Sequence, residues 1–412
     1  MLMLLTAILP ACAGRAKAPP AEAQAEEILR ITGVHGGILV HLGCDDGRLT
    51  AALRADDRFT VHGLDSDPTH VEKARAYIQA QGLYGPVSVE TFSAATLPYA
   101  DNLINLVVVQ KAGKVSKGEI MRVLAPGGVV CFQREGRWHK DVKAWPDNID
   151  QWTHFLHDAS NNAVAEDAGV GPPRGLQWVA PPLWLRSHET PSGIQASVSG
   201  GGRLFYLFDE GLIGITDERL PDRWSLVCRD AFNGKLLWKR PIEAWGWRQW
   251  SLKRYRGTDW TKLRSARTDV PNENQRRIVV EGERLYTTLA YDAPLSILDA
   301  ATGRTIATED ATRGTREILL SQGVVVAYTR FAGNQDAEAT ALVALDARTA
   351  KVLWEQPVGA IRPLSWAIDN GRIVALDTPA GLKAMVNHSN EHEPTLEDVF
   401  MALTGKRLEE GQ

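Results

Sequence analysis

The 412-residue chain lacks any apolar run long enough to cross a bilayer as a helix. Its most apolar stretch, Met1 to Gly14, falls short of the roughly 20 residues a span needs. Cysteine is scarce. Cys12, Cys44, Cys131 and Cys228 are scattered, at spacings that suit neither a zinc site nor a disulfide scaffold, and no metal site is expected. Positive charge is not in excess either. The formal net charge of -4 gives no reason to expect nucleic-acid binding. Hydrophobic content of 44% and charged content of 23% are ordinary for a globular protein, and the length calls for two or more domains. Tryptophan is plentiful: thirteen are present and they lie after Arg137, so the two parts of the chain differ in composition.

What is there begins with ILVHLGCDDGRLTAAL, Ile38 to Leu53. An apolar strand runs into a turn bracketed by Gly43 and Gly47. Then Leu49, Ala52 and Leu53 recur at helical spacing. Strand, tight turn and helix together bring backbone close to a ligand and aim a helix N-terminus at it. The next strand, Phe59 to Leu64, leads to Asp65, where an acid can accept hydrogen bonds from both ribose hydroxyls of a nucleoside. Alternation continues. Helices are expected at Glu26 to Thr32, Pro68 to Gln81 and Glu119 to Leu124, and strands at Val87 to Phe92, Leu103 to Val109 and Val129 to Phe132. Such alternation argues for a parallel sheet covered by helices, with ligands at the carboxyl ends of the strands, where Gly43, Asp65 and Ser93 fall.

This α/β part resembles a class I S-adenosylmethionine-dependent methyltransferase of Rossmann-like fold, over roughly residues 26–140. The carriers are LVHLGCDDG, GLDSD, LPYADNLINLVVV and MRVLAPGGVV, in the family's order. The resemblance implies that Gly43, Cys44, Asp45 and Gly47 surround the methionine end of S-adenosylmethionine. It implies that Asp65 and Ser66 hold the ribose and that Ser93 and Ala94 flank the adenine. Three positions depart from the family. His41 stands where an acid is usual, Asp45 where Gly is usual, and Ser93 where Asp is usual. A side chain at Asp45 must crowd the cofactor or take a positive φ. Gln110 and Lys111 occupy the acceptor side, and neither makes a convincing base. His139, His154 and His157 lie beyond the sheet, the last two spaced to share a face if helical.

The leader, residues 1–25, holds two readings. LPAC resembles a bacterial lipoprotein cleavage box with Cys12 as the lipidated residue, which implies export and membrane anchoring. No Lys or Arg precedes the apolar run and Pro10 sits close to the cleavage position, which favours a leader with no export role. Export places the chain in the cell envelope; otherwise it is cytoplasmic. Residues 15–25 read as a linker.

Residues 141–195 form a Trp- and Pro-rich irregular connector. Its phrase WTHFLHDASNNAVAEDAGVGPPRGLQW resembles the lead-in to PQQ-like β-propeller domains of large bacterial proteins. Residues 196–385 then repeat a hairpin unit as CRDAFNGKLLWKRP, ILDAATGRTIATED and ALDARTAKVLWEQP, with Trp238 and Trp354 at matching places. These imply an all-β, partial β-propeller of about three to four blades, with Trp docking between them. The calcium ligands and vicinal disulfide of a quinoprotein dehydrogenase are not seen, so PQQ is not expected, and a quinone-dependent oxidoreductase is the weakest reading. A basic insertion with Trp245, Trp247, Trp250 and Trp260 packs over the propeller face or offers a surface for a ligand such as a sugar or polyanion.

Residues 386–412 read as a charged helical tail. EPTLEDVFMALTGKRLEE resembles the end of ABC transporter ATP-binding subunits, yet nothing matches a phosphate-binding P-loop. A fused tail, and a fragment or rearranged chain, are the expectations there. The function expected overall is methyl transfer from S-adenosylmethionine to an unidentified small-molecule or protein acceptor. The rival is a non-catalytic cell-envelope propeller protein that carries a degenerate methyltransferase domain.

Overall fold

The computed structural model describes residues 20–169, 171–172, 175–181, 193–211, 223–251, 257, 270–331, 339–361, 364–369 and 372–376. The leader with Cys12, the tail over residues 386–412 and Trp260 lie outside the described residues.

The first domain opens with α1 (Ala21–Thr32), then β1 (Gly37–Leu42), α2 (Arg48–Ala52), β2 (Phe59–Asp65), α3 (Pro68–Ala80), β3 (Val87–Thr91), β4 (Ile104–Val109), α4 (Lys117–Val123), β5 (Leu124–Arg134) and β6 (Arg137–Val142). The sheet order is β3-β2-β1-β4-β5-β6, with the first five strands parallel. β1 and β4 sit at the centre, which is why LINLVVV reads as one apolar run. Start signals match the sequence. Asp67 caps α3 by accepting from the Thr69 N–H, with Pro68 in the first turn, and Ser116 caps α4 by accepting from Glu119.

Two expectations change. The presumed linker is helical from Ala21, because Ala and Glu are good helix formers and Ala25 buries against the core. The sheet is mixed, because β6 folds back antiparallel on β5 and carries His139, whose ring stacks on Phe132 at 6.0 Å instead of reaching over the sheet.

The second region consists of antiparallel sheets. β7 (Ile194–Gly200) to β10 (Leu236–Pro241), with β8 (Arg203–Asp209) and β9 (Trp224–Asp230), form one. β11 (Ile278–Glu281), β12 (Arg284–Thr288), β13 (Leu295–Asp299) and β14 (Thr305–Glu309) form the next. β15 (Thr315–Ser321), β16 (Val324–Phe331), β17 (Ala339–Asp346) and β18 (Val352–Pro357) form a third, and β19 (Trp366–Asp369) pairs with β20 (Arg372–Leu376). This is a β-propeller-like arrangement.

The repeated hairpin explains how the blades join. Asp230, Asp299 and Asp346 each cap their turn by accepting two or more donors at residues two or three ahead. The turn then places a residue at positive φ: Gly234, Gly303 or Ala350. A tryptophan from the preceding element stacks on each glycine. Trp178 covers Gly234, and Trp238 covers Gly303 so closely that a Cβ there would lie 2.7 Å from the ring. The indole N–H of Trp178 reaches Ala231 O and that of Trp238 reaches Ala300 O, both at 3.0 Å. At the third turn Ala307 stands in the Trp position, the glycine is Ala350, and the Tyr286 hydroxyl takes over the bond, donating to Ala347 O at 3.0 Å. Trp354 is 40% exposed.

The connector is the hub. His154 and His157 are not on a helix; they close a tight antiparallel turn with His157 at φ 67. The segment gives one acceptor to each inner strand in turn. Ser199 N donates to Trp152 O, Val280 N to Thr153 O, Leu320 N to His154 Nε2 and Ile368 N to Ala159 O, at 2.7 to 3.1 Å. His154 and His157 are therefore buried, and the shared helical face that their spacing offered is not formed.

Blade one also docks on the first domain. The Asn105 amide accepts from Ile38 N and Asn233 Nδ2 at 2.8 Å, and donates to Asp230 Oδ2 at 2.6 Å. Asn233 reaches Leu103 O and Lys235 reaches the Thr60 hydroxyl, both at 3.0 Å. Gly37 must be glycine, since a Cβ would overlap the Asn105 amide. Ile38, Thr60 and Asn105 lie toward the amino ends of their strands, so the carboxyl ends stay clear of this contact.

Two outcomes follow for stability. Gly303→Ala is expected to cost at least about 2 kcal/mol in urea denaturation, combining positive φ with the indole clash, while Ala350→Gly stays within about 1 kcal/mol of wild type. Burial lowers the His154 pKa to about 4, with 6.5 as its ordinary value. Below pH 6.5 the unfolded chain takes up a proton that the folded one refuses, so stability is lost on acidification. Between pH 6.5 and 4.5 that loss is about 2 kcal/mol for this group, and it disappears from the pH profile of His154→Gln.

Candidate functional site

A cavity of about 250 Å³ opens at the carboxyl ends of β1, β2, β3 and β4. Its walls include Gly43, Asp65, Ser66, Ser93 and Ala94, five of the eight positions the sequence nominated, together with Lys111 and Lys114 from the loop after β4. Leu42, Leu64, Phe92 and Val115 add apolar surface. Parallel strands bring these together because each ends at the same sheet edge and hands over to a loop there.

Asp65 is the anchor. Its Oδ2 accepts from Asp45 N and its Oδ1 from Asp67 N, both at 3.0 Å, with His70 Nδ1 at 3.2 Å from Oδ1. Burial pushes its carboxyl up, but the N–H groups of Asp67 and Asp45 and the His70 ring outweigh that, and the pKa falls below the usual carboxylate value. An ionised acceptor is thus fixed on the cavity wall.

The glycine turn behaves unevenly. Gly43 has φ 80, and a Cβ there would lie 2.7 Å from Lys111 Cβ, so the turn presses on the β4 loop. Asp45 resolves its two alternatives by taking φ 42. Its carboxylate holds Lys111 Nζ at 2.6 Å. Cys44, Asp45 and Gly47 do not line the cavity. Cys44 is 2% exposed and packs beside Gly63 in the core, and burial, with Asp65 adding to it, pushes its thiol to about 12. Gly47 is needed for packing: a Cβ there would meet Ala74 of α3 at 2.7 Å.

His41, in the acid's usual place, is fully buried on β1. Burial lowers its pKa to about 4. The neutral ring donates from Nε2 to Gln110 Oε1 at 3.0 Å and accepts at Nδ1 from the Thr50 hydroxyl at 2.8 Å. It ties Gln110, and with it the start of the Lys111 loop, to α2. Sequence reasoning missed His70, whose only signal is its place in the first turn of α3, five residues after Asp65. Asp45, Asp65 and His70 bring one ligand atom each within 4.8 Å, a grouping the sequence did not suggest; Lys111 already neutralises Asp45 there.

A family model for a methyltransferase domain matches residues 39–128, and one described as outer membrane protein assembly factor BamB matches residues 230–390. Methyltransferase-like protein 27 of Homo sapiens is 31% identical over 105 residues, covering 24% of this chain and 40% of that protein. An uncharacterized protein of Haemophilus influenzae is 27% identical over 100 residues, 22% of this chain and 40% of its own. The chain thus spans about 40% of the length of these curated relatives. Geranyl diphosphate C-methyltransferase from Streptomyces coelicolor, solved with Mg2+, geranyl diphosphate and S-adenosyl-L-homocysteine, aligns at 17% identity and a TM-score of 0.25, over 27% of this chain and 44% of that one. One chain thus carries a match to a methyltransferase domain over residues 39–128 and a match to a BamB-type repeat domain over residues 230–390.

Proposed function

We propose that the chain binds S-adenosylmethionine in the cavity at the carboxyl ends of β1 to β4 and transfers its methyl group to a small-molecule or protein acceptor. The observation that carries this reading is the cavity itself, with the ionised Asp65 beside the Gly43 turn and Ser93 and Ala94 across from them. The donor set suits a nucleoside. Asp65 has lone pairs for ribose hydroxyls, and Leu64, Phe92 and Val115 offer apolar surface to a base.

When bound, S-adenosylmethionine supplies an electrophilic methyl carbon. The protein's part is orientation: Asp65 fixes the ribose, and Gly43 lets the backbone come close. Lys111, held by Asp45, and Lys114 border the cavity on the side assigned to the acceptor, and the Lys114 charge favours an acceptor carrying negative charge. Acceptors that are already nucleophilic need no base, and Gln110 is engaged by His41.

A second reading draws on Asp45 and on the BamB match. Asp45 in a left-handed conformation, tied to Lys111, crowds the turn that the methionine end would approach. On that reading the first domain is a scaffold and the propeller-like domain is the working surface, in a cell envelope that the chain would reach through its leader and Cys12. The methyltransferase reading goes with the cytoplasm, where S-adenosylmethionine is made.

Calorimetric titration of the full chain with S-adenosylmethionine separates them. Micromolar binding is expected, weakened at least tenfold by Asp65→Ala and tightened by Asp45→Gly, which removes the strained side chain. Absence of binding to the wild type would overturn the proposal in favour of the scaffold.

A further inference from the structure

A second cluster of buried charged groups lies in the propeller-like domain, where the short 3-10 turn Asn272–Arg276 packs against β7 and β15. Among the described residues, four guanidinium groups, of Arg276, Arg277, Arg316 and Arg330, meet three carboxylates, of Glu273, Asp292 and Glu317. Among the described residues the balance is cationic, and it is buried: Arg277 is 0% exposed and Asn274 1%.

Arg316 Nη2 meets Asp292 Oδ1 at 2.5 Å and Arg330 reaches both oxygens of Glu273, but Arg276 and Arg277 are thinly paired. Arg277 Nη1 and Arg316 Nη1 both donate to the same carbonyl, Tyr291 O, at 2.6 Å, and both guanidiniums lie over the Tyr291 ring, at 4.6 and 4.3 Å. Glu273 Oε1 is shared among Arg277 at 3.4 Å, Arg330 at 3.2 Å and Arg316 at 3.7 Å. Arg276 stands 3.8 Å from Glu317 Oε2, an oxygen that already accepts the Trp366 indole N–H. Burial first, and then Arg316, pull the Arg277 pKa down to about 9.

Hydrogen-bond counting gives a second, independent observation. Among the described residues the Nε groups of Arg276, Arg277 and Arg316, Arg276 Nη1 and the indole N–H groups of Trp245 and Trp250 find no acceptor, and both amide atoms of Asn274 and Glu317 Oε1 are unpartnered. These groups are contiguous. Arg277 lies over Trp245 at 5.1 Å, Trp245 and Trp250 both pack on Tyr291, and Asn274 shares the turn with Arg276. Buried N–H groups without acceptors are costly, and buried cations more so, unless an anion meets them. Among the described residues the unpartnered donors outnumber the unpartnered acceptors, Asn274 Oδ1 and Glu317 Oε1, which favours an anion over a cation.

We propose that this turn binds a small anion with several acceptor atoms, supplied either as an inorganic oxyanion or as the carboxylate of an organic acid. Arg277 and Arg316 provide charge, Asn274 Nδ2 a directional donor, and the indoles of Trp245 and Trp250 the flanking wall. The site owes nothing to the S-adenosylmethionine reading.

Calorimetry on the full chain in a zwitterionic buffer without added salt tests it, with phosphate and acetate titrated separately. One-to-one saturable binding of at least one is expected. Preference for phosphate assigns the inorganic source, and preference for acetate the organic one. Asn274→Leu is expected to weaken binding at least tenfold without lowering the melting temperature of the anion-free protein, since it removes an unpartnered amide. Arg316→Lys, which keeps the charge but loses the fork, is expected to weaken it as well and serves if the first variant does not fold. Saturable binding of neither anion to the wild type, or unchanged affinity in the folded variant, would overturn the proposal.

Discussion

Inner strands that converge on a hub leave backbone N–H groups that no neighbouring strand can accept, and burying them unmet is costly. The connector meets that demand. Trp152, Thr153, His154 and Ala159 accept from β7, β11, β15 and β19 in the order of the blades. One irregular segment therefore ties together sheets that are also joined by Trp238 on the Gly303 turn and by the Tyr286 hydroxyl on the next. It also explains why His154 must stay neutral: its Nε2 is an acceptor, and a proton there would strand Leu320 N–H.

Asn105 does for the domain junction what the connector does for the hub. A single amide meets the Ile38 N–H of β1 and the turn of blade one. The junction uses the amino ends of the parallel strands and leaves the carboxyl ends, where Gly43, Asp65 and Ser93 gather, open to a ligand. The two domains are thus joined without either blocking the cavity.

Much of this was legible in the sequence. Period, glycine turn and following acid gave the α/β order, and five of the eight nominated positions meet at one cavity because strand ends in a parallel sheet share one edge. The turn's own residues were harder. A glycine that lets a ligand approach and one that lets helices pack look alike in sequence, and Gly47 is the second kind. Cys44 turned into the core because the chain reverses after Gly43. Trp238 was readable as an inter-blade contact from its repeat. The role of WTHFLHDASNNA was not, since its partners lie 40 to more than 200 residues away and His157 takes a left-handed conformation that local spacing does not announce. The buried arginine turn was equally hidden, because exposed and buried basic runs share a composition.

Amide hydrogen exchange of the full chain, with and without S-adenosylmethionine, tests the central claim most directly. Added protection is predicted at residues 43–45, 65–67, 92–94 and 111–115, with Ser199, Val280, Leu320 and Ile368 slow in both states. Unchanged exchange at the carboxyl ends of the strands under saturating S-adenosylmethionine would contradict the assignment of that cavity.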